Sequence, residues 1–294
     1  MTDGAATAGA PPDPVQLADI AVELAGRAGA LALRHQAAGL SVSSKSSVTD
    51  VVTDADRAVE DFLRTALAQL RPADSVIGEE GGEDGGVAGL GGAGLPEAGP
   101  AGAGPAGPPV RWVLDPIDGT VNFVLGLPYF GISIAAQVHG ETVAGCVLNP
   151  ATGQLFRAAA GHGAFLGDRR LTGPRSVPLD QAVLATGFSY DPARRARQGR
   201  TAGELLASVG NLRRLGSAAL DLCALAAGWV DLYYEGPLNE WDFAAGLLVA
   251  TEAGVATSGL HGRPAGTHLV AGAHPERAEE FFELLTAVGA ADIG

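Results

Sequence analysis

Cysteine is scarce in this sequence. Only Cys146 and Cys223 occur among 294 residues, and both lie within apolar runs. Two thiols are too few for a disulfide framework, so we expect both to be buried and reduced, as in a reducing compartment. Neither has a neighbouring His or Arg in the sequence that would lower a thiol pKa, which argues against a cysteine nucleophile.

Basic residues are also few. The chain has 19 Lys and Arg against 33 Asp and Glu, which gives a formal net charge of −14 at pH 7. A protein this acidic is poorly suited to bind nucleic acid or an anionic membrane, and we expect neither as a partner. The same balance favours a metal ion over a cluster of basic residues as the means of holding an anionic substrate.

A long hydrophobic segment is absent as well. No apolar span reaches about 18 residues, and residues 1–14 lack the basic and apolar regions of a signal peptide. We therefore expect a cytoplasmic protein with a disordered leader over residues 1–14. The 47% hydrophobic content indicates a globular chain, and 294 residues allow one large α/β unit or two closely joined halves.

The pattern of apolar residues predicts two different halves. Helical spacing predicts helices over residues 15–38 and 54–70, and two apolar runs that flank His139-Gly140 predict a β-hairpin. We therefore expect an α+β half over residues 15–180. Strands and helices alternate further along the chain, which predicts an α/β half over residues 181–294.

Residues 81–109 interrupt this pattern. Gly, Ala and Pro fill 23 of these 29 positions, and no hydrophobic period survives. Such side chains bury too little area to offset the entropy of ordering the backbone, so we expect a flexible surface insertion.

The most informative stretch is D-P-I-D-G-T at residues 115–120, directly after an apolar run. Proline after Asp115 favours an extended backbone and Gly119 permits a sharp reversal, so Asp115 and Asp118 can converge. Two carboxylates, with the Ile117 carbonyl between them, suit Mg²⁺ or Mn²⁺. Backbone N–H groups of Gly119 and Thr120 are placed to meet an anion. Asp-Pro and Asp-Gly are also ordinary turn pairs, so this motif alone leaves a plain loop open.

Three further acidic segments support a metal site. Gly78-Glu79-Glu80-Gly81 follows a short apolar run, Trp241-Asp242 precedes an apolar helical pattern, and Asp54 and Asp56 follow Thr53. The last two have an ordinary alternative, because acids are frequent caps and dipole partners at helix starts. Together with D-P-I-D-G-T, these segments resemble the inositol monophosphatase family of metal-dependent, lithium-sensitive sugar phosphatases. The resemblance runs from about Leu17 to about Phe282.

The resemblance implies a fold and a set of site residues. It implies a layered αβαβα sandwich, a homodimer, and two or three Mg²⁺ ions with Mn²⁺ as an alternative. Its implied metal ligands are Glu79, Asp115, the Ile117 carbonyl, Asp118 and Asp242. Its implied catalytic residues are Glu79, Thr120 and Asp56, with Asp56 hydrogen-bonded to Thr120. Its implied substrate contacts are Asp118, Gly119, Thr120, Ser217, Ala218, Glu235 and Asp242. Ser217 and Glu235 also have plain structural alternatives, as a helix cap and a strand-end residue.

The resemblance also implies hydrolysis of a phosphate monoester. In this scheme Asp115 bridges two Mg²⁺ ions, water activated by the metals attacks phosphorus, and Glu79 and Thr120 orient that water. The expected substrate is myo-inositol monophosphate or a related sugar phosphate. Two alternatives stay open: the same chemistry on histidinol phosphate, fructose 1,6-bisphosphate or 3′-phosphoadenosine 5′-phosphate, and a non-catalytic, metal-binding regulatory protein.

Overall fold

The computed structural model describes residues 12–45, 51–84 and 108–292. Residues 1–11 and 85–107 lie outside the described residues, so the leader and most of the insertion stay predictions. Two short parts of these segments are described, one at the end of the predicted leader and one at the start of the predicted insertion. Asp13 caps the first helix by accepting a hydrogen bond from the Val15 N–H at 2.9 Å, and residues 82–84 form a strand.

The described residues contain seven α-helices. They are α1 (Pro14–Ala38), α2 (Asp54–Leu70), α3 (Thr120–Leu125), α4 (Pro192–Leu205), α5 (Ala218–Ala226), α6 (Glu240–Glu252) and α7 (Pro275–Ala287). None of them combines the length and the apolar character needed to cross a membrane.

The strands of the described residues form three sheets. A two-stranded sheet contains β1 (Val42–Ser44) and β2 (Val51–Thr53). An eight-stranded sheet contains β3 (Ser75–Gly78), β4 (Gly82–Asp84), β5 (Arg111–Asp118), β6 (Gly131–Val138), β7 (Glu141–Asn149), β8 (Gln154–Ala159), β9 (Gly163–Leu166) and β10 (Arg169–Arg170). A five-stranded sheet contains β11 (Val183–Thr186), β12 (Asn211–Arg213), β13 (Leu232–Glu235), β14 (Ala256–Ser258) and β15 (Val270–Ala273).

Strand order distinguishes the two large sheets. The first runs β10-β9-β8-β7-β6-β5-β3-β4 and is antiparallel except where β3 pairs with β5. The second runs β12-β11-β13-β15-β14, with β11 parallel to both of its neighbours and β15 antiparallel to its own. The second sheet is therefore mixed. Its parallel pairs follow helical crossovers, and its antiparallel pairs are made by the last strand, β15.

Helices and sheets stack in five layers. Helices α1 and α2 cover one face of the first sheet, α5 and α6 lie between the two sheets, and α7 packs on the second sheet. Three buried apolar clusters fill the spaces between these layers. The outer helices α1, α2 and α7 each bury one face against a sheet, whereas every residue of α5, which lies between the two sheets, is buried.

Local sequence patterns located many of these elements well. The predicted helix over residues 54–70 is α2, and the predicted hairpin is β6 and β7. His139 and Gly140 join those strands with φ values of 53° and 83°. Two consecutive positive φ angles give the turn a twist that matches the strands beside it.

Candidate active site

The two aspartates of D-P-I-D-G-T lie at the carboxyl end of β5. In a regular strand, residues three apart point to opposite faces. Here the pairing shifts, because Asp115 lies opposite Ser133 while Asp118 lies opposite Gly131, so β5 contains one extra residue. This bulge lets Asp115 and Asp118 line the same cavity.

Gly119 ends the strand and begins α3. Its φ is 91°, and a Cβ at this position would lie 2.9 Å from the Gly216 carbonyl oxygen. A side chain would be strained by the backbone angle and would collide with that carbonyl. The predicted sharp reversal after Asp118 is therefore present, and it brings the residue 216–219 segment against the motif.

Asp118 is held by the start of α5. Its Oδ2 accepts hydrogen bonds from Ser217 Oγ at 2.6 Å and from the Ala219 N–H at 2.7 Å. Ser217 also caps the helix, since its Oγ accepts from the Leu220 N–H at 3.3 Å. The cap role considered for Ser217 is therefore present, and contacts of Ser217 and Ala218 with a substrate stay predictions.

The expected hydrogen bond between Thr120 and Asp56 is present. Thr120 Oγ1 lies 3.2 Å from Asp56 Oδ1 and 3.0 Å from the Ile117 carbonyl oxygen, and it can donate its proton to either. Asp56 is fully buried, and its other oxygen accepts from the Thr53 N–H at 2.8 Å and from Thr53 Oγ1 at 2.6 Å. Asp56 therefore fixes the Thr120 hydroxyl from behind the cavity wall.

Glu79 follows β3 and lines the cavity. Lys45 Nζ donates to Glu79 Oε1 at 2.8 Å and also contacts the Glu80 carboxylate. Burial raises the pKa of Glu79 to about 7, although the Lys45 ammonium opposes this shift. Lys45 therefore offsets part of the negative charge at the entrance of the D-P-I-D-G-T site.

Glu60, which was not among the predicted site residues, fixes the turn that carries Glu79. Its carboxylate is buried and accepts from the Glu80 N–H at 2.8 Å, the Gly81 N–H at 2.8 Å and Arg64 Nε at 2.8 Å. Three donors on one buried carboxylate hold the backbone after Glu79 in a single position. Glu60 is thus a positioning residue for a predicted catalytic residue.

We expect Glu60→Gln to lower both stability and turnover. The amide keeps one acceptor, but its NH₂ group faces a donor and the ion pair with Arg64 is lost, which costs about 1.5–3 kcal/mol for a charged hydrogen bond. Urea denaturation measures the stability, and kcat at saturating Mg²⁺ measures the effect on Glu79. Asp61→Asn, an exposed neighbour on α2, is the control. An unchanged kcat in a destabilised Glu60→Gln protein would limit Glu60 to a purely structural role.

Asp242 reaches the site from the first turn of α6. Its Oδ2 accepts from the Asn239 N–H at 2.7 Å, so the cap role considered for this residue is present. The start of the helix is also tied to the first sheet, because Glu240 accepts from Arg111 Nη1 and Gln137 Nε2, each at 2.8 Å. A cap role and a place on the cavity wall coexist in Asp242.

Glu235 lies at the end of β13 directly against Gly187. Tyr233 donates its hydroxyl to Glu235 Oε2 at 3.1 Å, and a Cβ on Gly187 would lie 1.8 Å from Glu235 Oε1. Burial raises the pKa of Glu235 to about 7. Gly187 is therefore required for the present position of the Glu235 carboxylate.

We expect Gly187→Ala to displace the Glu235 carboxylate while the protein stays folded, because the clash falls on the end of a flexible side chain. If Glu235 accepts a substrate hydroxyl, KM should rise on the order of tenfold, the worth of one charged hydrogen bond. Steady-state kinetics on Gly187→Ala, Glu235→Gln and the double variant measure this. The double variant should be no worse than either single variant. Gly199→Ala is the control, since no atom lies within 4 Å of its Cβ; an unchanged KM in Gly187→Ala contradicts the role of Glu235.

Asp221 and Arg214 are among the charged residues on the cavity wall that were not predicted as site residues. Asp221 lies within α5 and accepts a hydrogen bond from the Tyr129 hydroxyl at 2.8 Å, and burial raises its pKa well above the ordinary range. Arg214 precedes the Gly216 turn and is exposed. Its charge opposes the rise in pKa of Asp118, Asp221 and Glu235.

One cavity of about 500 Å³ brings nearly all predicted site residues together. The predicted residues on its wall are Glu79, Asp115, Ile117, Asp118, Gly119, Thr120, Ser217, Ala218, Glu235 and Asp242. Asp56 lies behind Thr120. Cys146 and Cys223 are buried elsewhere, as expected, and are free thiols.

The electrostatics of this cavity favour a bound cation. Burial raises the pKa of Asp118 to about 6 and that of Asp115 and Asp242 well above the usual range. Repulsion among neighbouring carboxylates adds to the shifts of Asp115 and Asp242. Carboxylates that destabilise one another's charge are stabilised when a cation is placed among them.

The donor set fits Mg²⁺ or Mn²⁺. The four carboxylates of Glu79, Asp115, Asp118 and Asp242 and the Ile117 carbonyl are all hard oxygen ligands on one cavity wall. Within residues 12–45, 51–84 and 108–292, no three or more Asp, Glu, His or Cys side chains lie in an arrangement that could already hold a metal ion. The fit therefore rests on the chemistry and shared location of the donors, and the individual ligand assignments stay predictions.

Comparison with known proteins identifies the family. The sequence matches the inositol monophosphatase family over residues 13–289. The chain belongs to this family. It is 44% identical over 289 residues to the inositol-1-monophosphatase of Mycobacterium leprae, with 93% of this chain and 94% of that protein covered.

Other members of the inositol monophosphatase family agree in fold and differ in name. The Thermotoga maritima IMPase structure gives a TM-score of 0.79 at 28% identity and covers 95% of this chain and 100% of that one. The Escherichia coli protein named Nus factor SuhB is 37% identical over 250 residues, covering 83% of this chain and 85% of that protein. The predicted layered fold and phosphatase class are thus confirmed, and Mg²⁺ dependence is general in the family.

Proposed function

We propose that this protein hydrolyses a small phosphate monoester in the presence of Mg²⁺, with myo-inositol monophosphate or a related polyol or sugar phosphate as substrate. The observation behind the proposal is that four carboxylates from three segments, the end of β3, β5 and the start of α6, line one cavity. Such a donor set has no role in an apolar core, where unpaired charges are costly.

Bound Mg²⁺ ions would supply Lewis acidity, neutralise charge on the phosphate and lower the pKa of water. The residues of this chain orient the reacting groups. Asp56 holds the Thr120 hydroxyl at 3.2 Å, so the Thr120 oxygen is fixed where it can accept a hydrogen bond from the attacking water. Glu79, whose turn is anchored by Glu60, takes the proton of that water at its carboxylate.

The substrate's polyol or sugar part faces the second half of the chain in this proposal. Ser217, Ala218 and Glu235 lie on the same cavity wall as the carboxylates. Glu235 is an acceptor for a substrate hydroxyl, and its place is fixed by Tyr233 and Gly187. A buried acceptor of this kind discriminates strongly against a substrate that lacks the matching hydroxyl.

The test is phosphate release by the full chain with Mg²⁺ on a panel of esters: myo-inositol 1-phosphate, histidinol phosphate, fructose 1,6-bisphosphate and 3′-phosphoadenosine 5′-phosphate. We expect activity that EDTA removes and that Li⁺ inhibits, with a polyol or sugar phosphate preferred. A folded protein that binds Mg²⁺ and releases phosphate from none of these esters would overturn the proposal.

The name of the Escherichia coli relative, Nus factor SuhB, leaves a regulatory role as a second candidate. The full carboxylate set in this chain favours catalysis over a purely regulatory protein. The homodimer, the cytoplasmic location and the absence of nucleic acid and membrane partners stay predictions, and light scattering on the purified protein tests the first of them.

A further inference from the structure

Arg111 begins β5 and contacts the other two segments that carry predicted metal ligands. Its Nε donates to Glu83 Oε1 at 3.0 Å, in the strand β4 that follows the turn of Glu79. Its Nη1 donates to Glu240 Oε2 at 2.8 Å, two residues before Asp242 in the first turn of α6. Arg111 itself lies in β5, the strand of the D-P-I-D-G-T motif. One guanidinium therefore joins all three segments whose carboxylates line the cavity.

The contact between Arg111 and α6 is a closed ring of hydrogen bonds. Gln137 lies opposite Arg111 on β6 and is 5% exposed. Its Oε1 accepts from Arg111 Nη1 at 2.9 Å, and its Nε2 donates to Glu240 Oε1 at 2.8 Å. Both carboxylate oxygens of Glu240 are thus bound. An isolated surface ion pair stabilises little, but a ring of charge-assisted hydrogen bonds fixes both charged side chains in one geometry.

The direction of β5 places this ring beside the metal site. Arg111 and Asp115 are four residues apart in a regular part of the strand, so their side chains leave the same face of the sheet. Ser133 lies opposite Asp115 on β6, and its Oγ donates to the Trp241 carbonyl at 3.3 Å. The first turn of α6, which carries Asp242, is therefore attached to the β5–β6 ladder at two points.

The predicted ligands on these segments repel one another. Asp242 is repelled by Asp118 and Glu79, and Asp115 is repelled by the same two residues and by Asp242. Without a cation, this repulsion acts to separate the start of α6 from β5 and from the turn of Glu79. Arg111 opposes that separation, because it binds an acid on each of the two neighbouring segments. It is not among the described residues that line the cavity, so it acts through the segments that it joins.

We propose that Arg111 is a positioning residue for the metal centre. It holds the β3–β4 hairpin and the start of α6 at a fixed separation from β5, so that their carboxylates are preorganised for Mg²⁺. The inference rests on the proposed function, which takes these carboxylates as metal ligands. A site that is held in its binding geometry before the cation arrives loses less affinity to rearrangement. Loss of a side chain that supports metal ligands typically weakens metal affinity by about 10–100-fold.

The test measures metal affinity separately from catalysis. Mn²⁺ is titrated into the full-length protein without substrate, and free Mn²⁺ is followed by electron paramagnetic resonance. Arg111→Gln should raise the Kd for Mn²⁺ by about tenfold or more. Arg111→Lys should raise it less, because an ammonium keeps the charge and loses the planar fork. The double variant of Arg111→Gln with Glu240→Gln should bind no more weakly than the weaker single variant, since both changes open the same ring.

Kinetics provides a second measure of the role of Arg111. The Mg²⁺ concentration that gives half of the maximal rate should rise by the same factor as the Kd for Mn²⁺. The kcat at saturating Mg²⁺ should fall by less, because excess cation restores the arrangement of the ligands.

The matched control is Arg175→Lys. Arg175 also binds a carboxylate through two nitrogens, Nε and Nη2, but that carboxylate belongs to the buried Asp231, outside the three ligand-bearing segments. This variant should lower the Tm and leave the Kd for Mn²⁺ unchanged. An equal rise in Kd in Arg175→Lys would overturn the proposal, because the effect would then follow from lost stability. A Kd that stays within about twofold in a folded Arg111→Gln protein would also overturn it.

Glu83→Gln decides the question if Arg111→Gln does not fold. Glu83 is the more exposed partner, with a side chain that is 57% exposed, so its replacement by an amide leaves the core intact. We expect the Kd for Mn²⁺ to rise by about threefold, the order of one exposed charge pair, and an unchanged Kd would refute the positioning role. A protein that shows the expected ratios of Kd and hydrolyses no ester would overturn the proposed function alone.

Discussion

Replacing Asp115 by Asn is expected to lower the rate of phosphate release by at least about 10³-fold at saturating Mg²⁺, which corresponds to several kcal/mol of lost charge stabilisation. Asp115 is the most enclosed of the four predicted carboxylate ligands, at 1% exposed, and it is repelled by Glu79, Asp118 and Asp242. A cation bound among these carboxylates is therefore stabilised most by the negative charge of Asp115, which lies at their centre. Kinetics over a range of Mg²⁺ concentrations measures the loss.

In thermal unfolding, Mg²⁺ should stabilise the Asp115→Asn variant less than it stabilises the wild type. Folding raises the pKa of Asp115. The contribution of this group to stability is therefore full below its unfolded pKa of about 4, and it is lost as the pH rises through the folded pKa. At neutral pH in EDTA, Asp115→Asn should therefore be at least as stable as the wild type. Mg²⁺ should raise the wild-type Tm more than that of the variant. Asp168→Asn, at an exposed turn, should behave as wild type, and a variant that keeps full activity would remove Asp115 from the metal site.

Elements with strong local signals could be predicted from the sequence. Helix α2 shows an apolar face at helical spacing and a capping box of Thr53 with Asp56, and its bounds match the predicted residues 54–70. The D-P-I-D-G-T reversal was predictable because Gly119 alone in that stretch tolerates a positive φ. These features depend on residues that are neighbours in the chain.

Features that depend on distant contacts could not be predicted in this way. Strand β4 lies in the Gly-rich segment and has no apolar period, yet it pairs with β3. Its Glu83 also accepts a hydrogen bond from Arg111 Nε at 3.0 Å. Glu60 resembles an ordinary helix acid until the turn at residues 79–81 is placed against it. Hydrophobic periodicity and amino-acid composition do not show which distant residues will pair in this way.

Asp221 is different, because a signal for it was available. It is the single acid in the apolar run of α5, Ala218–Ala226, and a charge in such a run is rarely buried without a partner. That partner, Tyr129, is 92 positions away in the sequence. The sequence could have predicted a buried functional or structural acid there, but not its place on the cavity wall.

The neighbouring acids Glu79 and Glu80 test how much the alternation of side-chain directions along an extended segment can predict. Alternation along an extended segment predicts that Glu79 and Glu80 point to opposite sides. If Glu80 faced solvent, its side chain would be much more exposed than that of Glu79. Instead, the Glu79 side chain is 23% exposed and the Glu80 side chain is 11% exposed. Their surroundings do separate them. Lys45 and Asp56 act on both acids, but Glu79 repels Asp115 and Asp242 across the cavity, whereas Glu80 is repelled by Glu60.

We therefore expect Glu79→Gln to lower kcat by about 10³-fold or more, because it removes a metal ligand and the proton acceptor together. Glu80→Gln should change kcat by about tenfold or less, since it weakens only the hold on Lys45. Both amides are nearly isosteric with the acids they replace, so circular dichroism should show two folded proteins. Single-turnover phosphate release separates the chemical step from product release. If Glu80→Gln proved the inactive variant, the ligand would move by one residue, and the strand register that places Glu79 on the cavity wall would be wrong.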